Sequence, residues 1–369
     1  MNRIRNARRR GSVGLWALGV ALAALVLAVA VIVYLTTVLS PLNERLREQD
    51  ALIQRMTGVN NPAVSNRLAP AFADADNDLI ADPPSAAEQV DPDTLTFSYV
   101  AVEDPTPFKE GFKDLMAAVA KATGKKVEYV AYDSAEDQLR AMRDGKLHVA
   151  GFNTGSVPMA VCTAGFVPLC TMADAAGGAS YKVQIITRSA SPVNAVADLK
   201  GRELTFTDPS SNSGYKAPIV ILRDSGLMPA SDYTMRYSLG HIQSIEGIKA
   251  GTFESAAVAD DVLKREIAAG VIGPKDFRSV YVSDKSFPTA AIGVGHALKA
   301  DLAAKVRDAI LKFAWKDTSL AKAFESEGRT QFVPVNYQKD FEYVRRIDES
   351  MGIAYVLADA PPTTTQSAK

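Results

Sequence analysis

Short apolar runs alternate with amphipathic ones from about residue 94 onward. Within the amphipathic runs apolar residues recur every three or four positions, which predicts helices near Pro107–Gly124 and Ala135–Arg143, and a mostly helical segment over 301–351. The short runs predict strands at Leu95–Ala101, Val127–Ala131, Leu147–Phe152, Phe166–Met172, Tyr181–Thr187, Glu203–Phe206, Thr234–Tyr237 and Ser255–Ala259. This alternation is typical of α/β layers, which bind ligands at the carboxyl ends of parallel strands. Roughly 260 residues exceed a typical domain, so we expect two lobes around a cleft.

The start of the chain has the pattern of a membrane anchor. Five arginines lie in the first ten residues, and no charged side chain occurs from Gly11 to Ser40. About 20 apolar residues are enough to cross a bilayer as a helix, so we predict a cytoplasmic basic tail at 1–12 and a transmembrane anchor at 13–40. Arginines before the span place the following domain outside the cytoplasm. A cleaved signal peptide is the alternative, because Ala28-Val29-Ala30 is similar to a cleavage site.

Charge and cysteine content restrict the possible functions. The chain carries a net charge of −1, so the residues after the five arginines carry −6. An acidic exterior domain is a poor candidate for nucleic-acid binding. The only cysteines, Cys162 and Cys170, either form a disulfide outside the cytoplasm or stay as buried thiols. The three histidines show no metal-ligand spacing with them, which argues against a metal site.

Residues 41–93 are predicted to form a short polar helix followed by a linker rich in Pro, Ala and Asp. Four aspartates in this linker, Asp74, Asp76, Asp78 and Asp82, are spaced like the ligands of a calcium loop. The glycine and the closing glutamate of that motif are missing. The alternative is a solvated acidic linker.

The most informative polar stretch is 208–215, with the sequence Asp-Pro-Ser-Ser-Asn-Ser-Gly-Tyr. It follows the strand-like run at 203–206 and precedes an amphipathic run, Ala217–Asp224. The first N–H groups of a helix lack internal partners, and the helix dipole adds positive charge there, so such a loop can bind an oxyanion. The hydroxyls of Ser211 and Ser213 add possible donors, and Gly214 allows close backbone approach. The plain alternative is a capped helix behind an ordinary turn.

Several motifs, taken in order, resemble the phosphonate-binding components of ABC importers, a class that also includes phosphite and phosphate-ester binders. The motifs are 194–201, 208–214, Gly240-His241 followed by Gly251 and 256–258, and Asp144-Gly145 followed by Val149-Ala150. The resemblance spans about 95–313. It implies a bilobal α/β Venus-flytrap fold of the type II periplasmic-binding-protein kind. Chain order would then give lobe 1 at 94–187 plus 287–355, lobe 2 at 188–286, and a disordered tail at 356–369.

The resemblance also implies a set of ligand-binding residues: Tyr132, Tyr181, Ser211, Asn212, Ser213, Gly214, His241 and Asp261. Ser211–Gly214 match the family's oxyanion loop, with an asparagine where threonine is usual. Tyr181 matches a tyrosine that donates to the ligand, and His241 a histidine near the phosphonate oxygens. Tyr132 lies only near the position of a second family tyrosine. The alternative for Tyr181 is an ordinary aromatic residue of a strand, and the alternative for His241 is a structural histidine.

Asp261 matches an acidic residue that pairs with the amine of aminoalkylphosphonates. A second acid of those binders is replaced here by Thr289-Ala290-Ala291. We therefore expect methylphosphonate, phosphite or a phosphate monoester to rival 2-aminoethylphosphonate as ligand. Lys216 either compensates anionic charge or faces solvent.

The leading hypothesis is a membrane-tethered receptor at the inner membrane that delivers a small phosphorus oxyanion to an ABC permease and ATPase. It needs no cofactor, because hydroxyl and amide donors suffice for binding. A sensory or scaffold receptor acting through a membrane partner is the alternative. An enzyme is disfavoured, because no nucleophile elbow with Ser, His and acid occurs.

Overall fold

The computed structural model describes residues 68–100 and 105–357, together with Leu27 and Val29, which are helical. Two mixed sheets form the centres of two lobes. The first lobe contains six strands in the order β11-β4-β10-β3-β1-β2, and the second contains five in the order β7-β6-β8-β5-β9. The predicted bilobal α/β architecture is therefore confirmed.

Strands β1, β2 and β3 of the first lobe pair in parallel, and β10 joins them antiparallel. Local signals fix the helices between them: the Ser134 hydroxyl caps α3, and Gly124, with a φ of 71°, ends α2 as predicted. The strands of this lobe are β1 Thr94–Tyr99, β2 Lys126–Tyr129, β3 Val149–Phe152, β4 Phe166–Ala173, β10 Ala291–Gly295 and β11 Gln331–Pro334. Its helices are α1 Pro105–Gly111, α2 Lys113–Thr123, α3 Ala135–Arg143, α4 Val157–Ala164, α8 Ala300–Leu311 and α9 Ser319–Ala323, followed by a 3₁₀ turn at Glu325–Glu327.

In the second lobe β6 runs parallel to β7 and β8, so the carboxyl ends of three strands share one edge. The strands are β5 Ser180–Arg188, β6 Glu203–Phe206, β7 Thr234–Tyr237, β8 Ser255–Ala259 and β9 Phe277–Pro288. The helical segments are a 3₁₀ turn at Val196–Leu199, a π-helical turn at Asn212–Lys216, α5 Ala217–Asp224, α6 His241–Ala250 and α7 Asp260–Ala268. The loop predicted to bind an oxyanion therefore leaves the carboxyl end of a parallel strand.

The boundary between the lobes differs from the sequence-based division. Strand β5 was assigned to the first lobe, but it pairs antiparallel with β8 and β9 of the second sheet. The chain thus crosses between lobes at 174–179 and returns at 289–290. Cross-strand pairing, which no local pattern reveals, decides the assignment.

The last two helices, α10 Tyr337–Asp340 and α11 Glu342–Ser350, lie across both lobes. The buried side chains of Phe341 and Val344 belong to one apolar cluster with Phe152 of the first lobe and Phe206 of the second. On the second lobe, Arg223 donates to the backbone carbonyl of Ser350 at 3.0 Å. The C-terminal segment therefore does not belong to the first lobe alone.

Part of the predicted linker packs onto the first lobe instead of lying in solvent. Val90 forms a parallel bridge with Leu298, and the Phe72 ring meets the His296 ring at 4.7 Å. In the acidic loop Asp74 accepts hydrogen bonds from the backbone N–H groups of Asp78 and Leu79 at 3.0 and 3.3 Å. From residue 68 onward the apolar side chains of the predicted linker therefore have partners on the lobe, whereas Asp76 and Asp78 are exposed, as a solvated acidic segment requires.

Among the described residues, no helix has the length and apolarity needed to span a bilayer. The predicted anchor at 13–40 lies outside the described residues except for Leu27 and Val29. The predicted tail at 356–369 is described only to residue 357.

Cys162 and Cys170 are both free and buried. Burial raises the pKa of Cys162 to about 12 and raises the pKa of Cys170 as well. Of the two alternatives drawn from the sequence, buried thiols are found and a disulfide is not.

Candidate functional site

The loop after β6 folds into a tight turn that opens directly into a helix. The backbone N–H groups of Ser210 and Ser211 donate to the side chain and backbone carbonyl of Asp208 at 2.8 and 2.9 Å. The π-helical turn at Asn212–Lys216 then continues into α5. Such single π turns are frequent at functional sites. The start of this helix faces the cleft between the lobes.

Some N–H groups at this helix start are already paired and others are available. The Ser211 hydroxyl oxygen accepts from the backbone N–H of Gly214 at 3.0 Å. The backbone N–H groups of Asn212 and Ser213 have no acceptor among the residues that the structure describes. Unpaired N–H groups at the positive end of a helix are the usual partners of a bound anion. Ser211 therefore orders the turn, and its own hydroxyl hydrogen stays available.

Side chains from two other elements close around the loop. The Asn212 amide donates to the Tyr181 hydroxyl at 2.9 Å, and the Ser213 hydroxyl lies 3.1 Å from Nε2 of His241. Asn212 Oδ1 and His241 Nδ1 are buried without a hydrogen-bond partner in the described part of the chain. Buried polar atoms left without partners usually mark a site that a ligand or water completes.

Tyr181 and His241 are both neutral at physiological pH. Burial raises the pKa of Tyr181 to about 12, so the hydroxyl keeps its proton. Burial and the nearby Arg265 charge lower the pKa of His241 to about 4. The loop and these two neighbours thus offer neutral hydrogen-bonding groups to the cavity.

Gly214 allows the loop to pack closely on its own lobe. A Cβ at this position would lie 1.9 Å from the Thr207 hydroxyl oxygen. The backbone N–H of Thr207 donates to the Gly214 carbonyl at 2.9 Å. The close approach found at Gly214 is therefore to the residue that follows β6, and its approach to a ligand stays a prediction.

The opposite wall comes from the loop after β3 in the first lobe. A Cβ on Gly155 would lie 2.2 Å from the Ser210 carbonyl oxygen and 2.7 Å from the Asn212 nitrogen. Next to it, the Thr154 hydroxyl donates to the Pro288 carbonyl at 2.7 Å. The lobes therefore meet backbone to backbone beside the loop, as in a closed cleft.

Lys216 lies behind the loop and is buried, so the solvent-facing alternative is wrong. Its ammonium group donates to the Gly155 carbonyl at 2.7 Å and lies 2.9 Å from a carboxylate oxygen of Asp348 in α11. The other oxygen of Asp348 accepts from the Tyr355 hydroxyl at 2.8 Å. Lys216 therefore compensates a buried carboxylate and supports the loop from behind.

The cavity between the lobes has a volume of about 120 Å³. Six of the eight predicted site residues line this cavity: Tyr181, Ser211, Asn212, Ser213, His241 and Asp261. A seventh, Gly214, packs directly behind Thr207, which also lines the cavity. Tyr132 does not line it and packs against the apolar core instead. Sequence reasoning missed a group of polar lining residues: Asn153, Thr154, Arg265, Thr289, Glu327 and Arg329. Among these residues only Thr289 was marked in the sequence, because it belongs to the segment that replaces the second acid of the family pattern.

Asp261 lies at the start of α7 and points into the same cavity. Burial and the neighbouring Glu327 charge raise its pKa to about 6, against the opposing charge of Arg329. The preceding residue, Asp260, accepts from the backbone N–H of Lys182 at 2.7 Å and so fixes α7 beside Tyr181. An acidic side chain therefore lies close to the oxyanion loop, as expected.

A family model described as "ABC transporter, phosphonate, periplasmic substrate-binding protein" matches residues 97–341. The chain belongs to this family of phosphonate-binding proteins. The resemblance seen in the motifs is thereby confirmed. Members of this family are the substrate-binding components of transporters, and their periplasmic location places the domain outside the cytoplasm.

Individual relatives of this phosphonate-binding protein are distant. The phosphate-import protein PhnD of Mycolicibacterium smegmatis is 25% identical over 261 residues, which cover 67% of this chain and 78% of the relative. PhnD1 of Prochlorococcus marinus, solved with methylphosphonate, has a TM-score of 0.61 at 14% identity and covers 71% of this chain and 100% of its own. A binding protein of an ABC phosphonate transporter from Pseudomonas aeruginosa has a TM-score of 0.60 at 17% identity, covering 70% and 88%. At these identities the solved structures show the fold alone.

Proposed function

We propose that this protein captures a small phosphorus oxyanion, such as a phosphonate, phosphite or phosphate ester, and delivers it to an ABC permease and ATPase. The observation that carries this proposal is the pair of backbone N–H groups on Asn212 and Ser213, which have no acceptor among the described residues and belong to a helix start that lines the cleft. Family membership supports the transport role. The ligands of two relatives, phosphate for PhnD of Mycolicibacterium smegmatis and methylphosphonate for PhnD1 of Prochlorococcus marinus, support the ligand class.

The arrangement accounts for binding without a cofactor. The helix N–H groups and the Ser213 hydroxyl hold the oxygens of the anion from the second lobe, and the Gly155 loop covers it by hinge closure. The tyrosine at 181 remains a neutral donor because burial raises its pKa to about 12. A desolvated anion that receives several such hydrogen bonds gains about 1.5–3 kcal/mol from each.

An acceptor in the site favours phosphorus oxyanions over sulfate and sulfonates. Oδ1 of Asn212 is buried with no partner among the described residues. A singly protonated phosphonate or phosphate has a P–OH group that can donate to this oxygen, whereas sulfate and sulfonates carry no such proton at neutral pH. An unpaired buried acceptor costs about 1–3 kcal/mol, so a wrong ligand is rejected by what it leaves unpaired.

A thermal-shift screen of the full-length protein in detergent tests the proposal. We expect stabilisation by methylphosphonate, phosphite or phosphate and little or none by sulfate and methanesulfonate. A ligand at a hundredfold excess over its Kd raises the unfolding free energy by about 2.7 kcal/mol. Stabilisation by sulfate equal to that by every phosphorus oxyanion would contradict the acceptor argument.

We also propose that residues 13–40 tether the protein to the inner membrane, with the binding domain in the periplasm. The support is the uncharged run that follows five arginines. Intact-mass measurement on the purified native protein should give the uncleaved chain. A mature N-terminus near Val31 would instead make this a freely diffusing receptor.

A further inference from the structure

Four charged side chains meet across the cleft, and two ion pairs among them join the two lobes. Arg329 of the first lobe lies 3.5 Å from Asp261 of the second. Glu327 of the first lobe pairs with Arg265 of the second at 2.6 Å. Arg329 also approaches Glu327, at 3.9 Å. Two carboxylates and two guanidinium groups therefore form a quartet on the wall of the cavity. Outside the quartet, Arg265 also pairs with the buried carboxylate of Glu266 at 3.3 Å.

The quartet is built into the interior. The side chains of Arg329 and Glu327 are 6% and 8% exposed, and that of Asp261 is 18% exposed. Arg329 is also held by donation to the Gly178 carbonyl at 3.1 Å. Buried charges of this kind need their partners, because an uncompensated charge in a low-dielectric interior is strongly unfavourable.

The quartet changes the reason for expecting a ligand without an amine. The sequence lacks the second acidic residue that aminoalkylphosphonate binders carry near position 289. In the structure, however, Glu327 from a distant segment places a second carboxylate in the cavity wall. Both carboxylates nevertheless already have guanidinium partners. An incoming ammonium group would enter beside Arg329 and meet a like charge where little water screens it.

We infer that Arg329 is a specificity-determining residue that excludes ammonium-bearing phosphorus oxyanions by occupying the carboxylates that would bind the amine. This inference rests on the proposed function. Arg329 acts here as a repulsive element against one class of ligand. Removing it leaves Asp261 without its guanidinium partner in the cavity, while Glu327 keeps its pair with Arg265.

Two ligands that differ only in the charged group isolate this effect. In 2-aminoethylphosphonate an ammonium occupies the place of the terminal methyl group of n-propylphosphonate. The measured quantity is the ratio of their Kd values, obtained by calorimetry on the full-length protein. A general loss of cleft closure changes both affinities and leaves the ratio unchanged. In the wild type we expect the propyl compound to bind at least as tightly as the amine.

The Arg329→Gln variant should shift the ratio by about tenfold or more toward the amine, because a desolvated ammonium–carboxylate pair contributes well over 1.4 kcal/mol. Adding Asp261→Asn to that variant should reverse most of the shift. Arg278→Gln is the matched control, since Arg278 is a partly buried arginine that donates to the Ser191 and Val193 carbonyls away from the cavity. It should leave the ratio at the wild-type value.

The outcomes separate this inference from the proposed function. If neither ligand nor methylphosphonate binds the wild type, the proposed function fails. If methylphosphonate binds but the wild type prefers the amine by about tenfold or more, or a folded Arg329→Gln leaves the ratio unchanged, the role of Arg329 is refuted. Should Arg329→Gln lose cooperative unfolding, the single variant Asp261→Asn decides. It removes the carboxylate nearer to Arg329 and leaves only Glu327 at 3.9 Å, so it should shift the ratio further against the amine. An unchanged ratio there also refutes the inference.

Discussion

Alanine at both Ser211 and Ser213 should weaken methylphosphonate binding by about a hundredfold or more, because each hydrogen bond to a charged group is worth about 1.5–3 kcal/mol. The Ser213 hydroxyl lies in the cleft, 3.1 Å from His241. The Ser211 hydroxyl accepts from Gly214 and keeps its hydrogen for the ligand. Calorimetric titration of the double variant measures the loss.

The Ser225→Ala variant provides the matched control. Its hydroxyl donates to the Ile221 carbonyl at the far end of the same helix, on an exposed surface. We expect it to bind as the wild type does. If the double variant kept both its circular dichroism spectrum and its affinity, the loop would be only a helix cap and the proposed binding site would be wrong.

Alanine at Gly155 should hold the cleft open and weaken ligand binding by about tenfold or more. The added Cβ would lie 2.2 Å from the Ser210 carbonyl oxygen and 2.7 Å from the Asn212 nitrogen, both of which are backbone atoms of the other lobe. Overpacking of this kind typically costs about 1–3 kcal/mol. Since the clash exists only when the lobes meet, the penalty applies to the closed, ligand-bound state.

The measurement compares Kd and the unfolding midpoint of Gly155→Ala with those of Gly295→Ala. A Cβ on Gly295 would have its nearest neighbour at 3.9 Å, so this control adds the same methyl group without a clash. We expect normal affinity in the control. Wild-type affinity in Gly155→Ala would show that closure does not bring the two backbones together.

The alternation of strands and helices and the loop at 208–215 could be predicted because their signals are local. The strand pattern at 203–206, followed by a polar turn and an amphipathic run, identifies a strand, loop and helix from adjacent residues. The predicted helix at 135–143 matches α3. In the same way, the Ser-Asn-Ser-Gly loop could be predicted to start a helix, and because helix starts bind anions through their own backbone, the anion site there stays a prediction.

What could not be predicted depends on contacts between distant residues. Arg329 and Asp261 are separated by 68 positions, so no spacing connects them. The same holds for Lys216, whose partner Asp348 is on the C-terminal helix. Strand β11 has only four residues and ends in a proline, so its short apolar run was hidden in a segment that is otherwise helical.

Calorimetric titration of the full-length protein with methylphosphonate, phosphite, phosphate and sulfate tests the central claim most directly. The account predicts saturable single-site binding of at least one phosphorus oxyanion, and sulfate binding weaker by about tenfold or more, because it leaves the Asn212 acceptor unpaired. A protein that unfolds cooperatively yet gives no heat and no thermal shift with any of the three phosphorus oxyanions would contradict it.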